Sequence, residues 1–217
     1  MSNNPELILV EGLSGSGKTT LANMLCNRYG YAPYNTGVVF RAVSAAAILG
    51  GVSSHEQPEF SLEAHLDADM ADGLPQLAVN GRDVSDYLQR PDAAKLATKV
   101  RLDQEVEQRL EKIFDSFVGG ATRAVVEGKH IGTRFCSESR FFLTATQEVR
   151  AYRKWLQALR SGRKDYSWPE AYADFLEGET RDRKAGILVS GTNTNIIDTT
   201  HLSPEAVLAR VLAAGRE

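Results

Sequence analysis

Gly12-Leu13-Ser14-Gly15-Ser16-Gly17-Lys18-Thr19 reads as a complete phosphate-binding loop, and the residues on either side give it the required context. Ahead of it, Leu7-Ile8-Leu9-Val10 is a run suited to a buried strand. Behind it, Thr20-Leu21-Ala22-Asn23-Met24-Leu25-Cys26 carries apolar residues at helical spacing. Glycines let the main chain wrap closely enough for successive N–H groups to aim at phosphate oxygens, and the helix adds its positive dipole end. The expected cradle is Gly12, Ser14, Gly15, Ser16, Gly17, Lys18, Thr19 and Thr20. Lys18 supplies a point charge for the terminal phosphates, and the Thr19 hydroxyl is a ligand for Mg²⁺.

Working outward, Arg123-Ala124-Val125-Val126, Arg140-Phe141-Phe142-Leu143 and Asn195-Ile196-Ile197 read as buried parallel strands, with a shorter one near Ala32-Pro33-Tyr34. Helical stretches near 92–118, 147–161, 168–182 and 203–214 separate them. Strands alternating with helices predict a doubly wound α/β fold with ligands at the strand C-terminal ends. The last helix has Ser203 as its cap, Pro204 in its first turn and Glu205 near its positive end. Two regions break the alternation. In 53–90, Gln76-Leu77-Ala78-Val79, then Asn80-Gly81, then Arg82-Asp83-Val84 predicts a hairpin with a type I′ turn, hence a small β insertion. Residues 160–169, basic and glycine-containing, read either as a lid over the phosphates or as a solvated loop.

The chain has 217 residues, a formal net charge of −3 and two cysteines, Cys26 and Cys136. That length suits one domain with an insertion. The charge gives no electrostatic reason for binding nucleic acid or a membrane surface. Two cysteines make neither a disulfide framework nor a metal site, and Cys26 falls on the buried face of the first helix. The longest apolar stretch, around Ala42 to Val52, is too short for a bilayer, and the first residues lack a signal segment. A soluble, cytoplasmic protein is expected.

Further motifs follow the loop: Asn35-Thr36-Gly37-Val38-Val39-Phe40-Arg41-Ala42-Val43, Val79-Asn80-Gly81-Arg82-Asp83-Val84-Ser85, Glu127-Gly128-Lys129-His130-Ile131-Gly132-Thr133, Phe142-Leu143-Thr144-Ala145 and Ile197-Asp198-Thr199-Thr200. In this order and spacing the chain resembles the bacterial cytidylate kinases, from about Leu7 to Leu212. The resemblance implies a P-loop NTPase fold: a five-stranded parallel sheet flanked by helices, with an acceptor-binding insertion at 53–91 and a lid at about 157–170. Residues 1–52 and 92–217 form the core in this reading. It implies transfer of the γ-phosphate of ATP to CMP or dCMP with ATP and Mg²⁺ as cofactors. The partner is a small phosphoryl acceptor, with no nucleic acid or membrane, and the chain is a monomer or weak dimer.

The resemblance also distributes roles. Thr36, Arg41, Thr98, Lys129, His130 and Asp182 fall at acceptor-binding positions. Glu127, ending its strand, is the acidic residue that phosphate-loop enzymes place near Mg²⁺. Arg153, Arg181 and Arg183, together with Arg163, are the candidates for stabilising charge on the transferring group alongside Lys18. Arg150 and Lys154, on the same helix as Arg153, are expected to serve solubility or surface pairing.

Several positions depart from the family pattern. Asn35 and Phe40 replace Asp and Tyr, Lys129-His130 replaces Arg-Asp, and Glu107 stands where the family has an acceptor-contacting arginine. Lys129 keeps the charge of arginine but loses its bidentate fork. Neutral His130 offers one donor and one acceptor where aspartate would only accept. It reads either as an acceptor contact or as a structural histidine. Glu107 either repels an acceptor phosphate or faces water on a charged helix. These departures motivate an alternative, a diverged kinase acting on a modified nucleotide or a non-nucleotide hydroxyl compound. A nucleotide-dependent switch of the GTPase type is disfavoured, since neither Asn-Lys-x-Asp nor Asp-x-x-Gly occurs.

Overall fold

A computed structural model of the chain describes residues 6–49, 78–79, 82–88, 90–100, 104–129, 131, 135, 137–186 and 194–214. The elements run in the order β1 (Glu6–Gly12), α1 (Lys18–Tyr29), β2 (Ala32–Asn35), α2 (Thr36–Leu49), β3 (Ala78–Val79), β4 (Arg82–Asp83), a short 3₁₀ turn (Ser85–Tyr87), α3 (Pro91–Val100), α4 (Gln104–Gly120), β5 (Arg123–Gly128), β6 (Ser139–Thr144), α5 (Gln147–Arg160), α6 (Trp168–Lys184), β7 (Asn195–Asp198) and α7 (Pro204–Ala214). All five expected strands of the main sheet are present. They pair in parallel in the order β2-β5-β1-β6-β7. The helical stretch expected near 92–118 falls into two helices, α3 and α4.

Contacts divide the chain into two compact units, Met1–Asn35 with Ala121–Glu217, and Thr36–Gly120. The first contains the parallel sheet. Its middle strand, β1, is covered on both faces, which explains its nearly continuous apolar sequence. Val10, Leu21, Leu25, Val125, Phe141 and Leu143 lie in its core, and Cys26 packs against them half-buried. Burial pushes the Cys26 thiol up to about 11, so it stays protonated and unreactive at neutral pH.

Local chemistry fixes the helix ends, and the cap expected at Ser203 is among them. Gly30 closes α1 with φ 72°, and its N–H donates to Cys26 O at 3.0 Å. Ser203 Oγ accepts the Ala206 N–H at 3.2 Å, capping α7. Glu170 reaches back to the Ser167 N–H at 3.1 Å and so fixes the start of α6.

In the second unit α2 packs on α3, and Ala42, Ala45 and Ala46 of α2 form a core cluster with Val84 and Leu88. The hairpin expected there is present: β3 and β4 pair antiparallel, Val79 opposite Arg82. Its turn residues, Asn80 and Gly81, lie outside the described residues, so the I′ geometry does too.

Candidate functional site

The phosphate loop joins β1 to α1 at the C-terminal end of the sheet. Three of its glycines are required by geometry. Gly12 has φ 143°, and a side chain there would collide with the carbonyl of Leu143 in β6. Gly15 has φ 76°, and a side chain there would collide with the main chain of Arg150 in α5. Gly17, at φ 101°, starts α1 from a left-handed conformation with open space around it. The loop is therefore pressed against β6 and the first turn of α5, closer than any other residue type permits.

Lys18 folds back over this loop, its Nζ donating to Gly12 O at 2.9 Å and Leu13 O at 2.8 Å. The residue as a whole is partly buried. Burial pushes the ammonium down to about 8; Glu127 works against that shift, and Lys129, Lys154 and Arg150 add to it. Thr19 Oγ1 donates to Glu127 Oε2 at 3.0 Å, so the two residues expected to serve a metal do meet.

Glu127 is only 4% exposed. Its other oxygen accepts Asn35 Nδ2 at 2.6 Å, because Asn35 is its register partner across the β2–β5 ladder. This part of the site is built from oxygen donors of the kind Mg²⁺ prefers. Among the described residues no group of three or more His, Cys, Asp or Glu gathers, so a metal here would need most of its ligands from phosphate and water.

On the other side of β5's end, Lys129 Nζ makes an ion pair with Asp182, which α6 holds buried. Fully buried Glu11, at the end of β1, accepts the Ile131 N–H at 2.8 Å and so ties down the chain just beyond this lysine. Arg181, on the same helix as Asp182, lies 3.6 Å from Glu177 of its own helix, and Arg183 is exposed. Arg163 lies 3.6 Å over the ring of Tyr166 in the connection between α5 and α6.

Arg150 requires a correction. Expected on the surface, it is 4% exposed and forms a 2.8 Å ion pair with Glu179 of α6, itself 7% exposed. It also donates to Ala145 O and to Ser14 O of the loop, both at 3.0 Å. Lys154 does lie on the surface and donates to Gln157 at 2.7 Å.

A family model described as cytidylate kinase matches residues 8–217. The chain belongs to the cytidylate kinase family. A cytidylate kinase of Rhodospirillum rubrum is 32% identical over 215 residues, covering 95% of each chain. One from a Thermotoga species is 31% identical, with 97% of this chain and 96% of that one covered. One from Caldicellulosiruptor bescii is 28% identical, covering 94% of this chain and 93% of its own. Among solved structures, TT1252 from Thermus thermophilus is 20% identical with a TM-score of 0.47, covering 97% of both chains.

Of the residues expected from the family pattern, the first unit brings together Gly12 to Thr20, Glu127, Lys129, Arg153 and Asp182. Thr36 and Arg41 lie on α2 in the second unit, both partly buried. Thr98 falls on α3 and Glu107 on α4, their side chains outside the described residues, as is the whole of His130. Sequence reasoning missed Asn35 as the partner of Glu127, because the register of β2 against β5 is not written in either strand alone. It also missed Arg150 and Glu179, whose only signal was a charge in an otherwise ordinary helix, and it gave Thr199 no role although the motif Ile197-Asp198-Thr199-Thr200 contains it.

Proposed function

We propose that this protein transfers the γ-phosphate of ATP to CMP or dCMP, as the names of its relatives indicate for them. The observation that carries the reading is a phosphate loop with Lys18, Thr19 and Glu127 assembled as above, in a chain matched by the family over nearly its whole length. Nothing favours a non-nucleotide acceptor. Main-chain N–H groups of the loop take the β- and γ-phosphates, and Lys18 turns from Gly12 O and Leu13 O toward them. A bound phosphate raises the affinity of Lys18 for its proton, so binding restores the full charge.

Mg²⁺ fits the Thr19–Glu127 pair, and when bound it would neutralise charge between the phosphates. Asn35 holds Glu127 in place without adding a second carboxylate. The acceptor phosphate is itself the nucleophile, so the residues around it need to position and attract, not to remove a proton. Lys129, oriented by Asp182, supplies that attraction, and Thr36, Arg41, Thr98 and His130 are the further acceptor contacts. Arg181 and Arg183 are candidates for the transferring group. Residues 53–91 serve as the acceptor-binding insertion and 157–170 as the lid, within a cytoplasmic enzyme. Among the described residues no helix is long and apolar enough to cross a membrane.

Release of ADP from ATP and Mg²⁺, followed over a panel of nucleoside monophosphates, nucleosides and small alcohols, tests this. CMP and dCMP should stimulate turnover most, and Lys18→Ala should abolish it. Stimulation by a non-nucleotide alone, with none by CMP, refutes the assignment.

A further inference from the structure

Three consecutive carbonyl groups of the phosphate loop are met by side chains from elsewhere in the same unit. Arg150 Nη1 donates to Ser14 O at 3.0 Å, Arg153 Nη1 lies 3.5 Å from Gly15 O, and Thr199 Oγ1 lies 3.0 Å from Ser16 O. A peptide unit is planar and trans, so the carbonyl of one residue and the N–H of the next point in opposite directions. The Ser16 N–H donates to Leu13 O at 3.2 Å within the loop, so holding the carbonyls of Ser14 and Ser16 on one side aims the N–H groups of Gly15 and Gly17 to the other. Those are the groups that a phosphate would meet.

Thr199 sits at the centre of this arrangement. Its hydroxyl has a single proton and two carbonyls in reach, Ser16 O and Thr144 O, each at 3.0 Å. Thr144 O already accepts the main-chain N–H of Thr199 at 2.8 Å, whereas Ser16 O accepts no main-chain N–H among the described residues, which favours Ser16 O as the acceptor of the hydroxyl proton. Arg153 fixes the threonine from behind, Nη1 donating to the hydroxyl oxygen at 2.9 Å and Nη2 to Thr199 O at 2.7 Å. Thr199 is 2% exposed, so water does not readily replace any of these bonds. Arg150 is held just as firmly by Ala145 O and Glu179. Gly15 packs directly on the Arg150 main chain, which brings the loop within reach of all three side chains.

We infer that Thr199, braced by Arg153, is a positioning residue for ATP: it presets the phosphate loop from its carbonyl side, with Arg150 acting likewise at Ser14. This rests on reading the loop as the ATP cradle, and it gives Arg153 a task other than contact with the transferring group. A rigid loop receives phosphate without first ordering its peptide planes, so loss of the brace weakens phosphate binding and leaves acceptor binding alone.

The test uses Thr199→Val, which keeps size and branching and removes only the hydroxyl, with Thr199→Ser as the conservative counterpart. Calorimetric titration with tripolyphosphate, a probe without base or ribose, is run beside steady-state kinetics. Affinity for tripolyphosphate and for ATP should fall together by about three- to tenfold in Thr199→Val, the scale of one net hydrogen bond. KM for CMP should stay within about twofold, and Thr199→Ser should restore both phosphate affinities. Arg153→Gln should weaken tripolyphosphate in the same direction, and it carries the test if the valine variant does not fold. A threonine that is only structural would lower the melting temperature and leave tripolyphosphate affinity unchanged, and that result overturns the inference alone. A wild-type protein that binds no tripolyphosphate overturns the cradle and the brace together.

Discussion

Replacing Glu179 by leucine removes the counter-charge of an arginine that water does not reach. The pair is 2.8 Å apart, with Arg150 4% and Glu179 7% exposed, so neither solvent nor salt screens it. Only one carboxylate oxygen is engaged; the other, Oε1, is buried without a hydrogen-bond partner among the described residues. Breaking a buried pair by removing one partner costs about 3–5 kcal/mol. Arg150 keeps its bonds to Ser14 O and Ala145 O, so the lower end applies, ~3 kcal/mol. In a chain of this size each kcal/mol moves the melting temperature by about 2–4 °C, so Glu179→Leu should melt about 6–12 °C below wild type.

Adding Arg150→Met removes the stranded charge and should recover roughly half of that loss. Full recovery is not expected, because Ser14 and Ala145 would be left with carbonyls lacking their donor. Scanning calorimetry at low and at high salt measures both effects. The shift should be the same at both ionic strengths, since a surface pair would lose its contribution in salt. A single variant melting within about 2 °C of wild type would refute the reasoning, because that is the range of an ordinary surface substitution.

Two further outcomes follow from the loop itself. Lys18 holds its proton only to about pH 8, mainly because of burial, so kcat/KM for ATP should be level below that pH and fall toward tenfold per unit above it. Lys18→Arg, always charged, should lack that limb, and a wild-type profile level to about pH 9.5 would contradict the assignment. The ligand-free protein should gain stability over the same rise in pH, since the unfolded chain holds this proton more tightly than the folded one. Gly15→Ala, at φ 76° and against the Arg150 main chain, should weaken ATP by at least about fivefold, from left-handed strain plus displacement of the loop. Gly30→Ala, at φ 72° with open space around it, should show the strain in melting temperature only; equal ATP affinities for the two variants would count against the close-packing argument.

The residues alone determined the phosphate loop, the strand–helix alternation, the hairpin around Asn80-Gly81 and the cap at Ser203. Each depends on backbone conformation or side-chain periodicity within a few residues, and such preferences are carried by the chain wherever it lies. Tertiary structure decided which charges are surface groups and which are buried. Arg150 has the helical neighbourhood of a solvated residue, and it is buried only because α6 returns with Glu179 and the loop presents Ser14 O. Asn35 meets Glu127 from 92 residues away, and Thr199 reaches Ser16 from 183. Such bonds arise from the strand order β2-β5-β1-β6-β7, which brings the C-terminal ends of distant strands to one edge of the sheet. A buried polar group is tolerated only where a partner arrives, and the partner's arrival is a property of the whole fold.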